Sequence, residues 1–259
     1  MSVSRQLRYP RHIPKATGLS RWIRVERLTT TLGAMADGFH PPVEEYLTTI
    51  YELAEDGITV IQARLVERLG HSAPSVWEMI KRLTASGHVA LHGRTISLTA
   101  EGRALAEGVV RKHRLAERLL TDIIGLPWEK AHLEAGRWEH VISDEVEERL
   151  RVLLNDPSTC PHGNPIPGSE HLRPGEMAAT FPLGNAKPGD HVRLQRVTES
   201  VEIDSEAMAY LARYGFITGS PATVDTKAPD GTISVRVGQN TFAIGSALSS
   251  NLFVEAATI

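Results

Sequence analysis

The chain has 259 residues, of which 41% are hydrophobic and 23% charged, and its net charge at pH 7 is −3. These values are ordinary for a soluble globular protein with room for two or three small domains. A single cysteine, Cys160, excludes an internal disulfide, and no apolar run of 18 residues could span a membrane. Both features predict a cytoplasmic protein.

Charge is distributed unevenly along the chain. Residues 1–34 contain seven Lys or Arg and one acid, which leaves 21 basic and 30 acidic residues in the remainder. We expect residues 1–40 to be a basic arm that is disordered or lies upstream of the true start, with translation beginning at Met35. The acidic remainder would need a local basic face or a bound cation to approach nucleic acid.

Residues 41–100 predict a winged helix-turn-helix domain. An apolar stripe predicts a first helix from Pro42 that ends at Asp56-Gly57. A second helix is predicted over 61–69, and a third follows the N-cap Ser72 and ends at Ser86-Gly87. The alternating segment 88–99 predicts a hairpin around His92-Gly93-Arg94, which would be the wing.

This arrangement is typical of proteins that read the DNA major groove. Early, exposed positions of the third helix would enter the groove, and two later basic residues would contact phosphates. The predicted DNA-binding residues are Ser72, Pro74, Ser75, Glu78, Lys81 and Arg82. Trp77 could contact a thymine methyl group, although we expect it to pack against the domain.

Residues 101–156 predict a helical domain whose apolar faces suit a dimer interface. His113 and Glu117 are four residues apart and share one helix face. A single helix is predicted over 132–150, with His132, Gly136 and Glu139 on one face and His140 beside it. Since a helix rises about 1.5 Å per residue, His132 and Glu139 would be roughly 10 Å apart and would serve two ions. The alternative is that these are partly buried histidines beside solvated carboxylates.

The Pro/Gly-rich segment 157–176 predicts a linker, and we interpret its Cys160-x-His162 as linker composition because no second pair follows at zinc spacing. Short strands with one helix around 205–214 predict a small SH3-like barrel over 177–259. Glu199 and Glu202 lie at the end of its first strand, where solvated carboxylates are the default interpretation. The predicted fold class is therefore mainly α with a small β domain.

Several motifs resemble the diphtheria toxin repressor family of metal-activated repressors. They are EEYLTTIYEL (44–53), RKHRLAERLLTDIIGL (111–126), RWEHVISDEVEERL (137–150) and HGNPIPG (162–168). The resemblance implies a winged helix-turn-helix, a helical metal-binding and dimerisation domain and a C-terminal SH3-like, FeoA-like domain. It also implies a homodimer that binds a palindromic DNA operator when it is loaded with metal.

The resemblance implies two metal sites per chain. The ancillary site falls on His113, Glu117, His132, Glu199 and Glu202. The primary site falls on Glu45, Gly136, Glu139 and His140. Iron-responsive members have a methionine at the position of Glu45 and a cysteine at that of Gly136, so both soft donors are missing here. Oxygen donors with one imidazole suit Mn²⁺, which we expect to be the co-repressor, with Fe²⁺ as the alternative.

Two other functions remain open at this stage. A metallohydrolase also uses His and Glu clusters, but the sequence contains no HExxH motif, nucleophile elbow or Gly-rich phosphate loop, so we expect no enzyme. A winged-helix repressor that senses a small organic ligand is the second alternative. Removal of divalent metal would distinguish all three.

Overall fold

A computed structural model describes residues 42–171 and 180–257. The predicted basic arm, residues 1–40, lies outside the described residues, as does part of the predicted linker. No helix in the described ranges is both long and apolar enough to cross a membrane.

The first described unit is a three-helix domain with a β-hairpin, as predicted. Gly57 and Gly70, which follow the first two helices, adopt the left-handed conformation with φ of 73° and 66°, and Ser72 caps the third helix by accepting a hydrogen bond from Ser75 N. The buried side chains of the predicted apolar stripe form its core. Its elements are α1 (Pro42–Glu55), α2 (Gln62–Leu69), α3 (Ala73–Ala85), β1 (Val89–His92) and β2 (Thr95–Leu98).

The helical domain begins with a long helix and continues through shorter ones. Thr99 caps the long helix, and Gly125, with a φ of 78°, ends the π-helical turn that follows it. The elements are α4 (Ala100–Arg118), a π-helical turn (Leu119–Ile124), a 3-10 turn (Trp128–Lys130), α5 (Ala131–Ala135) and α6 (Asp144–Leu153).

The prediction of one continuous helix over 132–150 is wrong. The chain leaves α5 at Gly136, makes turns with Trp138 N bonded to the carbonyl of Ala135 at 2.8 Å, and starts α6 only after Ser143. Gly has low helix propensity, and the Ser143 side chain accepts a hydrogen bond from Val146 N, so a strong N-cap competes with continuation of the helix. The separation calculated along a helix axis therefore does not apply.

Within residues 180–257, six strands form an antiparallel sheet in the order β3-β8-β4-β5-β6-β7. Its inward side chains and those of the helix after β4 make one apolar core. β3 and β7 are the two edge strands of this sheet. The elements are β3 (Phe181–Pro182), β4 (His191–Val197), α7 (Glu199–Glu202), α8 (Ser205–Arg213), β5 (Pro221–Lys227), β6 (Ile233–Val237), β7 (Asn240–Ile244), α9 (Ser246–Ser249) and β8 (Leu252–Ala256).

The described part of the predicted linker is packed against both neighbouring domains. Cys160 and His162 are fully buried, so their interpretation as mere linker composition is wrong. Gly163, with a φ of 92°, lies so close to β4 that an added Cβ would be 1.8 Å from the carbonyl oxygen of Gln195. Only glycine fits there. We call residues 159–166 the 160s loop.

Candidate metal centres

Two groups of buried donor atoms lie where α4, α5, α7 and the 160s loop meet. We call Glu117, Cys160, His162 and Glu202 the inner cluster, and His113, His132 and Glu199 the His113 cluster. Within each group the candidate ligand atoms lie within 4.8 Å of one another. The five predicted ancillary residues are thus brought together, but they divide between two groups, and Cys160 and His162 join one of them.

In the inner cluster, the ring of His162 lies between two carboxylates. Its Nδ1 is 3.2 Å from Glu117 Oε1 and 2.9 Å from Glu202 Oε2. Its Nε2 is 3.0 Å from the carbonyl oxygen of Trp128, which can only accept, so Nε2 carries the proton. Its Nδ1 therefore faces the two carboxylates through either a second proton or a shared cation.

Glu117 Oε2 is buried and has no hydrogen-bond partner, and His162 Nδ1 and Glu202 Oε2, although 2.9 Å apart, do not meet the geometry of a hydrogen bond. A buried polar atom without a partner is costly unless a metal or water satisfies it. Carboxylate, imidazole and thiol groups are all ligands of divalent first-row metals. The donor set therefore fits a divalent cation.

The His113 cluster adjoins the inner cluster. His113 Nε2 is 3.0 Å from His132 Nδ1 and 3.2 Å from Glu117 Oε1, and its Nδ1 contacts the carboxylate of Glu139. His132 Nε2 is 3.2 Å from Glu199 Oε1. The ring of His113 thus links the two buried groups to Glu139.

Burial and clustered charge act against each other on the titratable groups here. Burial lowers the pKa of His132, but the charge of Glu199 and hydrogen bonds to Glu117 and Glu202 outweigh burial and raise this pKa to about 10. Burial likewise opposes the rise in the pKa of His162, which Glu202 and Glu117 hold well above its ordinary value. Burial, with Glu117 next in importance, raises the pKa of the Cys160 thiol to about 12. The negative charge of the carboxylates favours protonation of the neighbouring histidines, and a bound metal cation would balance the same negative charge.

The predicted primary site is only partly assembled. Glu139 and His140 lie together, with His140 Nε2 3.0 Å from Glu139 Oε1. The carboxylate of α1 that contacts His140 is Glu44, whose Oε2 is 2.7 Å from Nδ1, whereas the backbone carbonyl of Glu45 accepts hydrogen bonds from two threonines. Gly136 ends α5 and has no side chain to offer. We call Glu44, Glu139 and His140 the α1 junction.

Cys160, His162 and Glu44 are candidate site residues that the sequence analysis did not identify. The Cys160-x-His162 pair was visible, but its partner carboxylates lie on α4 and α7, far away in the sequence. These carboxylates do not form a second pair at zinc spacing in the sequence. The contact of Glu44 with His140 depends on the rotation of α1, which the adjacent pair of acids does not determine.

All six predicted DNA-binding residues lie on the exposed face of α3 or at its N-cap. Glu78 Oε1 is 2.5 Å from Lys81 Nζ. The side chain of Trp77 is 41% exposed and lines an apolar groove of about 590 Å³ with residues of α2 and the wing. The expectation that Trp77 packs against the domain is therefore met only in part.

The helical domain also carries large apolar side chains on its surface. These are Leu105, Ile123, Ile124, Leu133, Val141, Val146, Val152 and Leu153, each at least 47% exposed. Such a concentration is typical of a protein interface.

Sequence models of three domain families match the chain. Residues 39–95 match the iron dependent repressor N-terminal DNA binding domain, residues 99–168 the iron dependent repressor metal binding and dimerisation domain, and residues 181–256 the FeoA domain. The matched ranges contain the three helices and the first strand of the winged helix-turn-helix, both donor clusters and the six-stranded sheet.

Curated relatives and solved structures agree with these matches. The iron-dependent repressor IdeR of Mycobacterium tuberculosis is 44% identical over 200 residues, 74% of this chain and 86% of the relative. The diphtheria toxin repressor of Corynebacterium diphtheriae is 44% identical over 188 residues, 70% and 83% of the two chains. A manganese-dependent transcriptional repressor in complex with manganese superposes with a TM-score of 0.73 at 30% identity, over 83% of this chain and 100% of that one. The chain therefore belongs to the diphtheria toxin repressor family of metal-dependent, DNA-binding transcriptional repressors.

Proposed function

We propose that this chain is a cytoplasmic homodimer that binds a palindromic operator when loaded with divalent metal and thereby represses manganese and iron uptake and homeostasis genes. The observation that carries the proposal is the origin of the donors. Together with Glu44, which contacts His140, they come from α1 of the DNA-binding domain, from α4, α5, the turns after α5 and the 160s loop, and from α7 of the C-terminal domain. Bound metal supplies positive charge that draws these carboxylates together, so metal occupancy restricts the orientation of the DNA-binding domain.

We assign two ions to each chain. Glu117, Cys160, His162 and Glu202 would hold one, with His132 and Glu199 beside them. Glu45, His113, Glu139 and His140 would hold the other, with the backbone carbonyl of Gly136 available. In this second site Glu44 accepts a hydrogen bond from His140 Nδ1 and orients the ring, as carboxylates commonly do for metal-binding histidines.

The ligand chemistry supports Mn²⁺ as the physiological ion, with Fe²⁺ as its competitor. This second site has oxygen donors and imidazole but no sulfur, which suits Mn²⁺. The inner cluster differs, because it contains a sulfur donor, Cys160. Metal supply and coordination geometry, rather than affinity alone, would then decide which ion activates.

Operator binding before and after chelation tests the proposal. A duplex selected from a random pool in the presence of Mn²⁺ would be bound by the dimer with metal and released with excess EDTA. Equal binding after chelation would contradict it and favour an organic effector. Metal-dependent turnover of a substrate without duplex selection would favour a metallohydrolase.

A further inference from the structure

We propose that Asp56 and Arg196 are positioning residues that couple the inner cluster to the orientation of the winged helix-turn-helix domain. This inference rests on the proposed function, in which metal controls DNA affinity. It assigns that control to a buried contact between α1 and the C-terminal domain, in addition to the metal ligands themselves.

The contact joins the end of α1 to β4. Arg196 Nη1 is 2.8 Å from Asp56 Oδ1, and the two side chains are 5% and 6% exposed. The guanidinium carbon of Arg196 lies 4.4 Å from the centroid of the Phe253 ring, which limits where the group can move. A buried ion pair is sensitive to small displacements, because the loss of either partner leaves a charge without compensation.

The same arginine reaches the inner cluster through one amide. Arg196 Nη1 is 3.1 Å from Asn164 Oδ1, while Asn164 Nδ2 donates to Glu202 and, at 2.9 Å, to the carbonyl oxygen of Val197. The side chain of Asn164 is therefore held at both ends. A movement of the Glu202 carboxylate is transmitted through a rigid, planar group to Arg196.

Backbone contacts make this connection stiff. Val197 N donates to the carbonyl oxygen of His162 at 2.9 Å, and Gly163 packs directly on β4. The 160s loop that carries Cys160 and His162 and the strand that carries Arg196 thus move together. Rearrangement of the cluster around a cation has a short, packed route to Asp56 at the end of α1.

A matched set of variants tests the proposal. The set comprises the parent, Asp56→Asn, Arg196→Gln, the double variant, and Asp225→Asn, which breaks an exposed ion pair with Arg236 at 3.0 Å in the same C-terminal domain. Fluorescence anisotropy gives operator affinity in EDTA and in saturating Mn²⁺, and the ratio of the two is the coupling factor. Calorimetry gives the number of Mn²⁺ ions bound without DNA.

We expect Asp56→Asn to lower the coupling factor about tenfold, while metal-free operator affinity and the bound ion count stay at the parent value. Asp225→Asn should behave as the parent does. The double variant removes both buried charges, so it should remain folded even if a single variant does not, and its coupling factor should be as low as that of either single variant.

Two results would overturn the proposal. One is a coupling factor in the double variant equal to that of the parent. The other is an equal loss of affinity with and without metal, since that would mean the pair supports only the fold. If the parent itself binds the operator equally in EDTA and Mn²⁺, the proposed function fails first, and that outcome is distinguished by the parent alone.

Discussion

Glu44 Oε2 lies 2.7 Å from His140 Nδ1, and His140 Nε2 faces Glu139 Oε1 at 3.0 Å. Glu44 on α1 thus contacts one ring nitrogen of His140, and Glu139 contacts the other. Burial by itself raises the pKa of Glu139, but the charge of His113 and hydrogen bonds to His113 and His140 lower it to about 2. The carboxylate of Glu139 is therefore ionised throughout the physiological pH range and is able to bind a cation.

From this contact we predict that Glu44→Ala weakens Mn²⁺ binding by roughly 10- to 100-fold, the usual effect of removing a carboxylate that orients a metal-binding histidine. Glu44→Gln keeps a hydrogen-bond acceptor and should retain most of the affinity. Calorimetric titration of each variant measures the difference. Parent-like affinity in Glu44→Ala would show that His140 is oriented without Glu44.

A second prediction concerns the inner cluster. Cys160→Ser together with His162→Gln should reduce the bound Mn²⁺ from two ions to one per chain, because half of the donors of one site are lost. Elemental analysis of dialysed protein provides the count, and His92→Gln, which changes an exposed histidine at the wing, is the control. A count of two in the double variant would mean that these residues stabilise the loop but bind no metal.

The third prediction tests how donor type selects the metal. Gly136→Cys should be tolerated, since an added Cβ would meet nothing nearer than the carbonyl oxygen of His132 at 3.7 Å. With Glu45→Met it supplies a thiol and a thioether, so the response of operator binding should shift from Mn²⁺ towards Fe²⁺. Anaerobic titrations with each ion measure the shift. An unchanged preference would refute the argument from donor softness.

Local signals in the sequence predicted most of the DNA-binding domain. Gly57 and Gly70 end helices in the left-handed conformation, and Ser72 caps α3, so the boundaries of these helices depend on residues beside them. The strands of the C-terminal domain other than the two-residue β3 were equally visible, because alternation and Gly-rich turns are local features. Where neighbouring residues decide the conformation, sequence alone was sufficient.

The donor clusters depend on packing between distant segments, and sequence reasoning recovered them less completely. Periodicity predicted one helix through Gly136, but the N-cap at Ser143 starts a separate α6. The composition of the 160s loop looked like a linker, yet the close contact of Gly163 with β4 buries Cys160 and His162. Glu199 and Glu202 were expected after a strand, and the structure places them, buried, on α7.

The fourth prediction concerns operator sequence. Glu78 is exposed on α3, and in the major groove a carboxylate accepts a hydrogen bond from the amino group of cytosine, whereas a glutamine side chain pairs with adenine. Glu78→Gln should therefore change the preferred base at one position of each half-site from cytosine to adenine. The binding free energies of operators with the two bases should then differ by about 1–3 kcal/mol in favour of adenine. Sequencing of selected duplexes tests this. Selection of the same base by both proteins would remove Glu78 from base recognition.

Lys81→Ala is the matched control, because Lys81 is a predicted phosphate contact one turn further along α3. It should weaken binding to all duplexes alike and reduce the salt dependence by about one counterion, with no change in the selected sequence.

Metal and operator must strengthen each other's binding if metal controls the DNA affinity of this chain. If bound metal fixes the orientation of the DNA-binding domains, the factor by which saturating Mn²⁺ tightens operator binding must equal the factor by which operator tightens Mn²⁺ binding. Anaerobic titrations of the dimer with buffered Mn²⁺, with and without operator, measure both. We predict equal factors well above one. An operator affinity unaffected by Mn²⁺, or an Mn²⁺ affinity unaffected by operator, would contradict the account.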